Sequence, residues 1–289
     1  MRYPGLKQTT FELITIGYEI LDGKILNTNS KWLAENITSM GGRVTRMITV
    51  GDEVDEIASV IRDALRRGIN WIITSGGLGP TYDDLTLQGV AKAVRRKLVL
   101  NKKVLEMIRE RYKVLAEEGV VSSPELTPPR IKMAMLPRGA KPLRNDVGSA
   151  PGVLLRSGKT RIACLPGVPK ELYSIFEKEL KPLIEKSIKK VYRIEKWIKV
   201  LNVPESSLAP KIDDVRGEVS GIYIKSHPKS AEGVSRIELQ VVAVANRVEV
   251  AEKRLAKAVN LLEKAVLELG GNIKEAPRNS VEGWEDSSK

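Results

Sequence analysis

The stretch Trp71–Thr86, WIITSGGLGPTYDDLT, constrains this chain more than any other. An apolar run stops at Ser75. Gly76, Gly77, Gly79 and Pro80 follow, then the paired carboxylates Asp83 and Asp84, and a helical pattern begins after Thr86. This order predicts a buried strand, a glycine loop and a helix N-terminus. Glycine lets the backbone take conformations closed to other residues and lets a ligand approach it closely. Free N–H groups at a helix start favour an anion. Two carboxylates would repel a bare phosphate, and they make chemical sense with a cation between them and it. The plain alternative is that the glycines only turn the chain and that Asp83 or Asp84 caps the helix. The loop lacks the Gly-Lys-Ser/Thr ending of a Walker loop and is not GxGxxG.

The flanking chain repeats the strand–helix alternation. Phe11–Gly17 is a first strand, and the Asn27-Thr28-Asn29-Ser30 cluster precedes a helix that stops at Gly41-Gly42. Arg43–Val50 reads as a second strand, and a helix opening at Asp52 leads to a third strand, Asn70–Thr74. Such alternation predicts a mainly parallel sheet with right-handed crossovers and ligands beyond the carboxyl ends of its strands. The loops after the first and third strands then meet, bringing Glu19 towards Asp83 and Asp84. Downstream, Asn145–Gly152 (NDVGSAPG) is a second polar loop whose Gly148 and Ser149 could touch the ligand. A strand pair follows, and a helix from Lys170 to about Lys189 closes the unit. A smaller α+β unit is expected over 190–271, with His227 in a polar turn. Loose tails are expected at 1–10 and 272–289.

Composition narrows the chemistry. One cysteine, Cys164, and one histidine, His227, exclude an internal disulfide and leave no expectation of a zinc or haem site. Metal or acid–base work falls to oxygen ligands such as Mg²⁺, Mn²⁺ or Co²⁺ prefer. The formal charge of +12 favours anionic partners, yet aromatics are only 4%, which argues against base stacking and makes nucleic acid an unexpected partner. No apolar run is long enough to span a membrane and no signal peptide opens the chain, so a cytoplasmic protein without membrane contact is expected.

Several segments in order, ELITIGYEILDGKILNTNSKWLAENI, VGDEVDEI, TSGGLGPTYDDLT, LRNDVGSAPG and LPGVPKEL, resemble the N-terminal region of the competence/damage-inducible CinA proteins. That region belongs to the molybdopterin-binding fold of the MoaB, MogA and MoeA proteins. The resemblance spans about residues 11–185 and implies a three-layer α/β domain. It implies a ligand held over Gly76, Gly77 and Gly79, with Asn27 or Asn29 orienting it or capping the helix. Asp84, with Asp83 beside it, would carry divalent-metal-dependent nucleotide chemistry, and Glu19 would be a second metal ligand. The activity so implied is an ADP-ribose pyrophosphatase giving AMP and ribose 5-phosphate. The alternative is pterin-nucleotide binding or transfer without hydrolysis. Relatives commonly form homo-oligomers. The chain leaves no room for the deamidase domain of longer relatives, so deamidase activity is not expected. Where the family's first loop reads Gly-Asp-Glu, this chain has Gly17-Tyr18-Glu19. That change removes a metal ligand if the aspartate is one, and removes none if the glutamate is.

Overall fold

The structure, a computed structural model, describes residues 8–188, 192–231, 234–245 and 247–275. The chain divides into two compact units, one from Gln8 to Lys189 and one that takes in the chain from Lys190.

The first unit opens with β1 (Thr10–Ile16), the short α1 (Tyr18–Leu21), α2 (Thr28–Ser39), β2 (Arg43–Val50), α3 (Val54–Arg66), β3 (Trp71–Ser75) and α4 (Thr86–Ala93). It continues through β4 (Leu98–Leu100), α5 (Lys102–Glu117), α6 (Pro128–Lys132), β5 (Met135–Pro137), β6 (Lys141–Leu143), β7 (Gly152–Ser157) and β8 (Thr160–Leu165). It ends in α7 (Pro169–Ile175), a π-helical turn (Phe176–Leu180) and α8 (Lys181–Glu185). The main sheet has the order β2-β1-β3-β8-β7-β6. β2, β1, β3 and β8 are mutually parallel, β7 runs antiparallel to them, and β6, antiparallel to β7, returns to their direction.

The period of two along β1 and β3 explains the three layers. Phe11, Leu13, Trp71 and Ile73 face α2, α7 and the π turn, where they pack with Leu33, Ile37, Leu172 and Phe176. Ile14, Ile16 and Ile72 face the other way, onto Ile57, Ile61 and Val90 of α3 and α4 and Ile108 of α5. All five residues of β3 are buried, as a strand covered on both faces requires. Glu12 is fully buried on the α3 side, where Arg67 donates to it from Nη2 (2.6 Å) and Nε (3.1 Å). A carboxylate at that depth is tolerated because its charge is matched and its oxygens are hydrogen-bonded.

Three expectations need correction here. The closing helix is not continuous. Pro182 has no N–H to give to the preceding turn, and the chain widens into a π turn just before it. The N-terminal tail is shorter than 1–10. Thr9 Oγ1 donates to Ser187 O at 3.0 Å and Thr10 N to Asn70 Oδ1 at 2.9 Å, so only 1–7 of that tail fall outside the described residues. At the other end, Asn272–Glu275 is a strand rather than tail, and 276–289 lie outside the described residues.

The second unit is a β-α-β-β-α-β arrangement of β9 (Tyr192–Leu201), α9 (Glu205–Glu218), β10 (Ile222–Ala231), β11 (Val234–Ala245), α10 (Val248–Glu268) and β12 (Asn272–Glu275). Its antiparallel sheet has the order β10-β11-β9-β12. Ile198, Val200, Leu239 and Val241 pack on Leu208, Ile212, Ala258 and Leu262 of the two helices. His227, expected in a turn, lies within β10 opposite Glu238, its ring 5.2 Å from that of Trp197. The Ser-His-Pro triplet reads as a turn locally, but pairing along the full length of β11 overrides that preference.

Candidate functional site

The four parallel strands all end at one edge of the sheet. The chain leaves β1 at Gly17, β2 at Gly51, β3 at Gly76 and β8 at Pro166-Gly167, while the loop before β7 arrives at the same edge. Gly17 N donates to Val50 O (3.1 Å) and Gly76 N to Leu165 O (3.0 Å), so the strand ends are tied crosswise.

The loop after β3 is fixed by its own composition. Gly76 has φ +102° and a Cβ there would overlap the carbonyl oxygen of Ile16; Gly77 has φ +64° and a Cβ would strike Thr86 Oγ1. Thr86 Oγ1 donates to Gly76 O (2.7 Å) and Thr86 N to Gly77 O (3.2 Å), which folds the start of α4 back over the glycines. Asp84 Oδ2 accepts from Thr81 N (2.7 Å) and Thr81 Oγ1 (2.6 Å), and a Cβ on Gly79 would lie 2.7 Å from that same oxygen. Thr81 Oγ1 also reaches Asp83, whose carboxyl it holds below the usual range, and Lys132 donates to Thr81 O. Neither aspartate caps α4; its N-cap is Leu85, with no side-chain cap. The plain alternative of a capping carboxylate is therefore replaced by a carboxylate that braces its own turn. Between Ser75 and Pro80, the N–H groups of Gly77, Leu78 and Gly79 donate to nothing among the described residues. Below them lies a niche of about 130 Å³ lined by Gly77, Gly79, Asp84, Gln88, Lys132 and Met133. A larger groove of about 860 Å³ runs between α5 and residues 142–146 and shares no lining residue with this niche.

The first loop brings Glu19 back over Gly17, where a Cβ would lie 2.5 Å from Glu19 Oε1. Tyr18 is not placed as a free stacking ring. It packs on Gly51, and its hydroxyl donates to Glu53 Oε1 (2.6 Å), which pushes its pKa up to about 12. Tyr18 N donates to Asp52 Oδ2 (3.0 Å). Asp52 is the residue that sequence reasoning missed, having read it only as the start of a helix; α3 begins two residues later. Burial raises the Asp52 pKa, and the charges of Glu19, Asp83 and Asp84 raise it further. The four carboxylates thus share one electrostatic neighbourhood, as the parallel topology predicted for three of them. Among the described residues, however, no three His, Cys, Asp or Glu side chains converge closely enough to hold a metal ion.

The two asparagines separate. Asn27 is the N-cap of α2: its Oδ1 accepts from Ser30 N (3.1 Å) and its Nδ2 donates to Thr15 Oγ1 (2.9 Å). Each end of its amide thus makes one bond that holds the start of α2 to β1. Asn29 Nδ2 donates to Gly167 O (2.7 Å), while its Oδ1 is enclosed without a partner. In the loop before β7, Asn145 Oδ1 accepts from Val147 N and Gly148 N, and Asn145 Nδ2 donates to Glu171 Oε2 (2.6 Å). Gly148 lies directly on Glu171, whose pKa burial raises; Ser149 beside it is half-buried. A carboxylate set under a glycine by a helix far along the chain leaves no local signal, although both residues fall in the segments singled out above.

Residues 12–186 match the family model described as a probable molybdopterin binding domain. The chain belongs to this family. A protein of Aeropyrum pernix is 44% identical over 264 residues, covering 91% of this chain and 96% of its own length. A protein of Metallosphaera sedula is 42% identical over 266 residues, covering 91% and 97%. Matches of that length exceed the first unit, so these relatives share the second unit as well. The crystal structure described as the protein CinA with unknown function from Thermoplasma acidophilum is 36% identical with a TM-score of 0.55, over 61% of this chain and 98% of that one. The expected family and the α/β fold with its mainly parallel sheet and additional antiparallel unit are thereby met. No helix among the described residues is long and apolar enough to cross a membrane.

Proposed function

We propose that the first unit binds a phosphorylated pterin or pterin-nucleotide of the molybdopterin type over the loop Gly76–Gly79. The observation that carries this reading is the row of N–H groups of Gly77, Leu78 and Gly79, which meet no other group among the described residues. Successive undonated amides form an anion-binding concavity, and the positive φ of Gly76 and Gly77 gives the loop the path that leaves these amides free. Membership of a probable molybdopterin-binding family supports the pterin part of the reading. Asp84 shapes the loop through Thr81, Lys132 offsets part of the phosphate charge, and Asn29 fixes the neighbouring Gly167 turn. The test is calorimetry of the full chain with neopterin monophosphate and with unphosphorylated neopterin. Binding of the phosphorylated compound alone, or at least tenfold tighter, supports the reading. Equal affinity for both removes it.

A second reading, metal-dependent hydrolysis of a nucleotide pyrophosphate such as ADP-ribose, draws on one arrangement: Glu19, Asp52, Asp83 and Asp84 lie in the connections that leave the neighbouring strands β1, β2 and β3 at the same edge of the sheet. A hard divalent ion is commonly held by one or two carboxylates and completed by phosphate oxygens and water. Asp84 and Glu19 would be its protein ligands, and it would neutralise the phosphates and acidify a bound water. AMP and ribose 5-phosphate released from ADP-ribose only with Mg²⁺, Mn²⁺ or Co²⁺ present, and lost in Asp84→Asn, would favour this reading. Absence of AMP with all three ions would remove it.

A further inference from the structure

Exposed apolar side chains are not spread evenly over the molecule. Of the fifteen large hydrophobic residues that stand exposed among the described residues, seven lie in the connections at the carboxyl edge of the main sheet, among them Tyr18, Leu21, Ile25, Leu26 and Tyr82. Single exposed hydrophobics need no explanation, but a rim of them around polar ground marks a binding site. The extreme case is Tyr82, at 91% exposure. Its position is not loose. Thr81 and Asp84, on either side, are joined by three hydrogen bonds: Thr81 N and Oγ1 to Asp84 Oδ2, and Asp84 N to Thr81 O (3.2 Å). Lys132 holds the same turn from α6. Among the described residues Tyr82 has no ring partner and no hydrogen bond to its hydroxyl. A hydrogen-bonded turn thus carries an unpartnered aromatic ring three residues beyond Gly79, the last of the glycines with undonated amides.

The loop after β1 leaves the same edge from the strand next to β3. Residues 21–26 are all exposed, and Lys24 N and Ile25 N both return to Glu19 O (3.0 and 3.2 Å), which sets Ile25 and Leu26 outward at 55% and 82% exposure.

We infer that Tyr82 is a specificity-determining residue: the ring of a flat heteroaromatic phosphate stacks on it, and Ile25 and Leu26 cover the opposite face. This rests on the phosphate reading of the glycine loop and adds the ring. The site then selects ring-bearing phosphates, pterin or purine, over sugar phosphates. Stacking on one aromatic side chain is worth roughly 5- to 100-fold in affinity, by the range seen when such residues are replaced by alanine.

The test is calorimetry of the full chain and its Tyr82→Ala and Tyr82→Phe variants with neopterin monophosphate, AMP and ribose 5-phosphate. The expected result is a loss of about tenfold or more in Tyr82→Ala for the two ring-bearing compounds, none for ribose 5-phosphate, and wild-type affinity in Tyr82→Phe. Unchanged affinity for all three compounds in Tyr82→Ala overturns the stacking role and leaves the phosphate reading standing. So does an equal loss for ribose 5-phosphate, which would assign Tyr82 to the shape of the loop. Failure of the wild-type chain to bind any of the three removes both. A Leu26→Ser variant extends the test: a loss of about threefold, confined to the ring-bearing compounds, is expected, and a loss shared with ribose 5-phosphate counts against the covering surface.

Discussion

Two loops at the sheet edge, Gly76–Leu85 and Asn145–Ala150, both depend on glycine, for opposite reasons. In the first, the path of the backbone demands it: Gly76 and Gly77 have positive φ and face a carbonyl oxygen and a packed threonine. In the second, Gly148 has no positive φ and is needed only because the Glu171 carboxylate lies beneath it. A carbonyl in a sheet cannot step aside, whereas a glutamate side chain can turn away. Glycine-rich sequence therefore marks both loops without telling which is rigid by construction and which is held by a removable neighbour.

The largest test of that contrast is Gly76→Ala. With φ +102° and no room for a Cβ, it is expected to destabilise the first unit by about 3 kcal/mol or more, read from urea unfolding. A loss below that of Gly148→Ala would break the comparison. Gly148→Ala itself should cost about 1–2 kcal/mol, the usual penalty for inserting a methyl group into packed surroundings. Adding Glu171→Ala should recover part of that loss, and strict additivity in the double-mutant cycle would contradict the contact. Next comes the brace of the first loop. Asp84→Ala removes the acceptor for Thr81 and should cost about 1 kcal/mol, whereas Asp84→Asn keeps an acceptor and should cost less than half as much. Equal losses would mean that charge rather than hydrogen bonding shapes the turn. The smallest effect concerns Asp52, whose carboxyl is raised in the folded protein. The native state then holds its proton more tightly than the unfolded chain, so stability falls as pH rises through the window above the ordinary aspartate value. Asp52→Asn should raise Tm by about 1–2 °C at neutral pH, with no gain well below the ordinary aspartate value of about 3.9. A gain that persists at low pH would assign the effect to packing instead.

The frame was legible because its signals are local and repeated. The bounds of β2 coincide with the stretch Arg43–Val50 read as a strand, and β3 and α4 fall within a residue or two of the glycine loop that separates them. Pro182 was visible, but its effect was not: the π turn forms before it, where Phe176 and Leu180 keep their places in the core. Of the candidate site, the glycines and the Asp83-Asp84 pair stood out through their chemistry, and the family resemblance singled out Asp84. Asn27 could be read as cap or ligand contact, and the structure shows the cap. Asp52 and the pair Asn145–Glu171 were hidden because their roles depend on partners dozens of residues away, brought close by strand order rather than by spacing.

Strand order has one more consequence, in the second unit. β9 is the first of its strands along the chain, yet both of its neighbours, β11 and β12, come later, and β12 is the last element described. A chain trimmed at Gly271, where sequence pattern alone would place the end of the fold, leaves the outer side of β9 with an unpaired row of amides and carbonyls over Ile198–Leu201. Such a side is a template for pairing with other molecules. The same exposure arises each time the protein is made, because β9 leaves the ribosome long before Asn272 does.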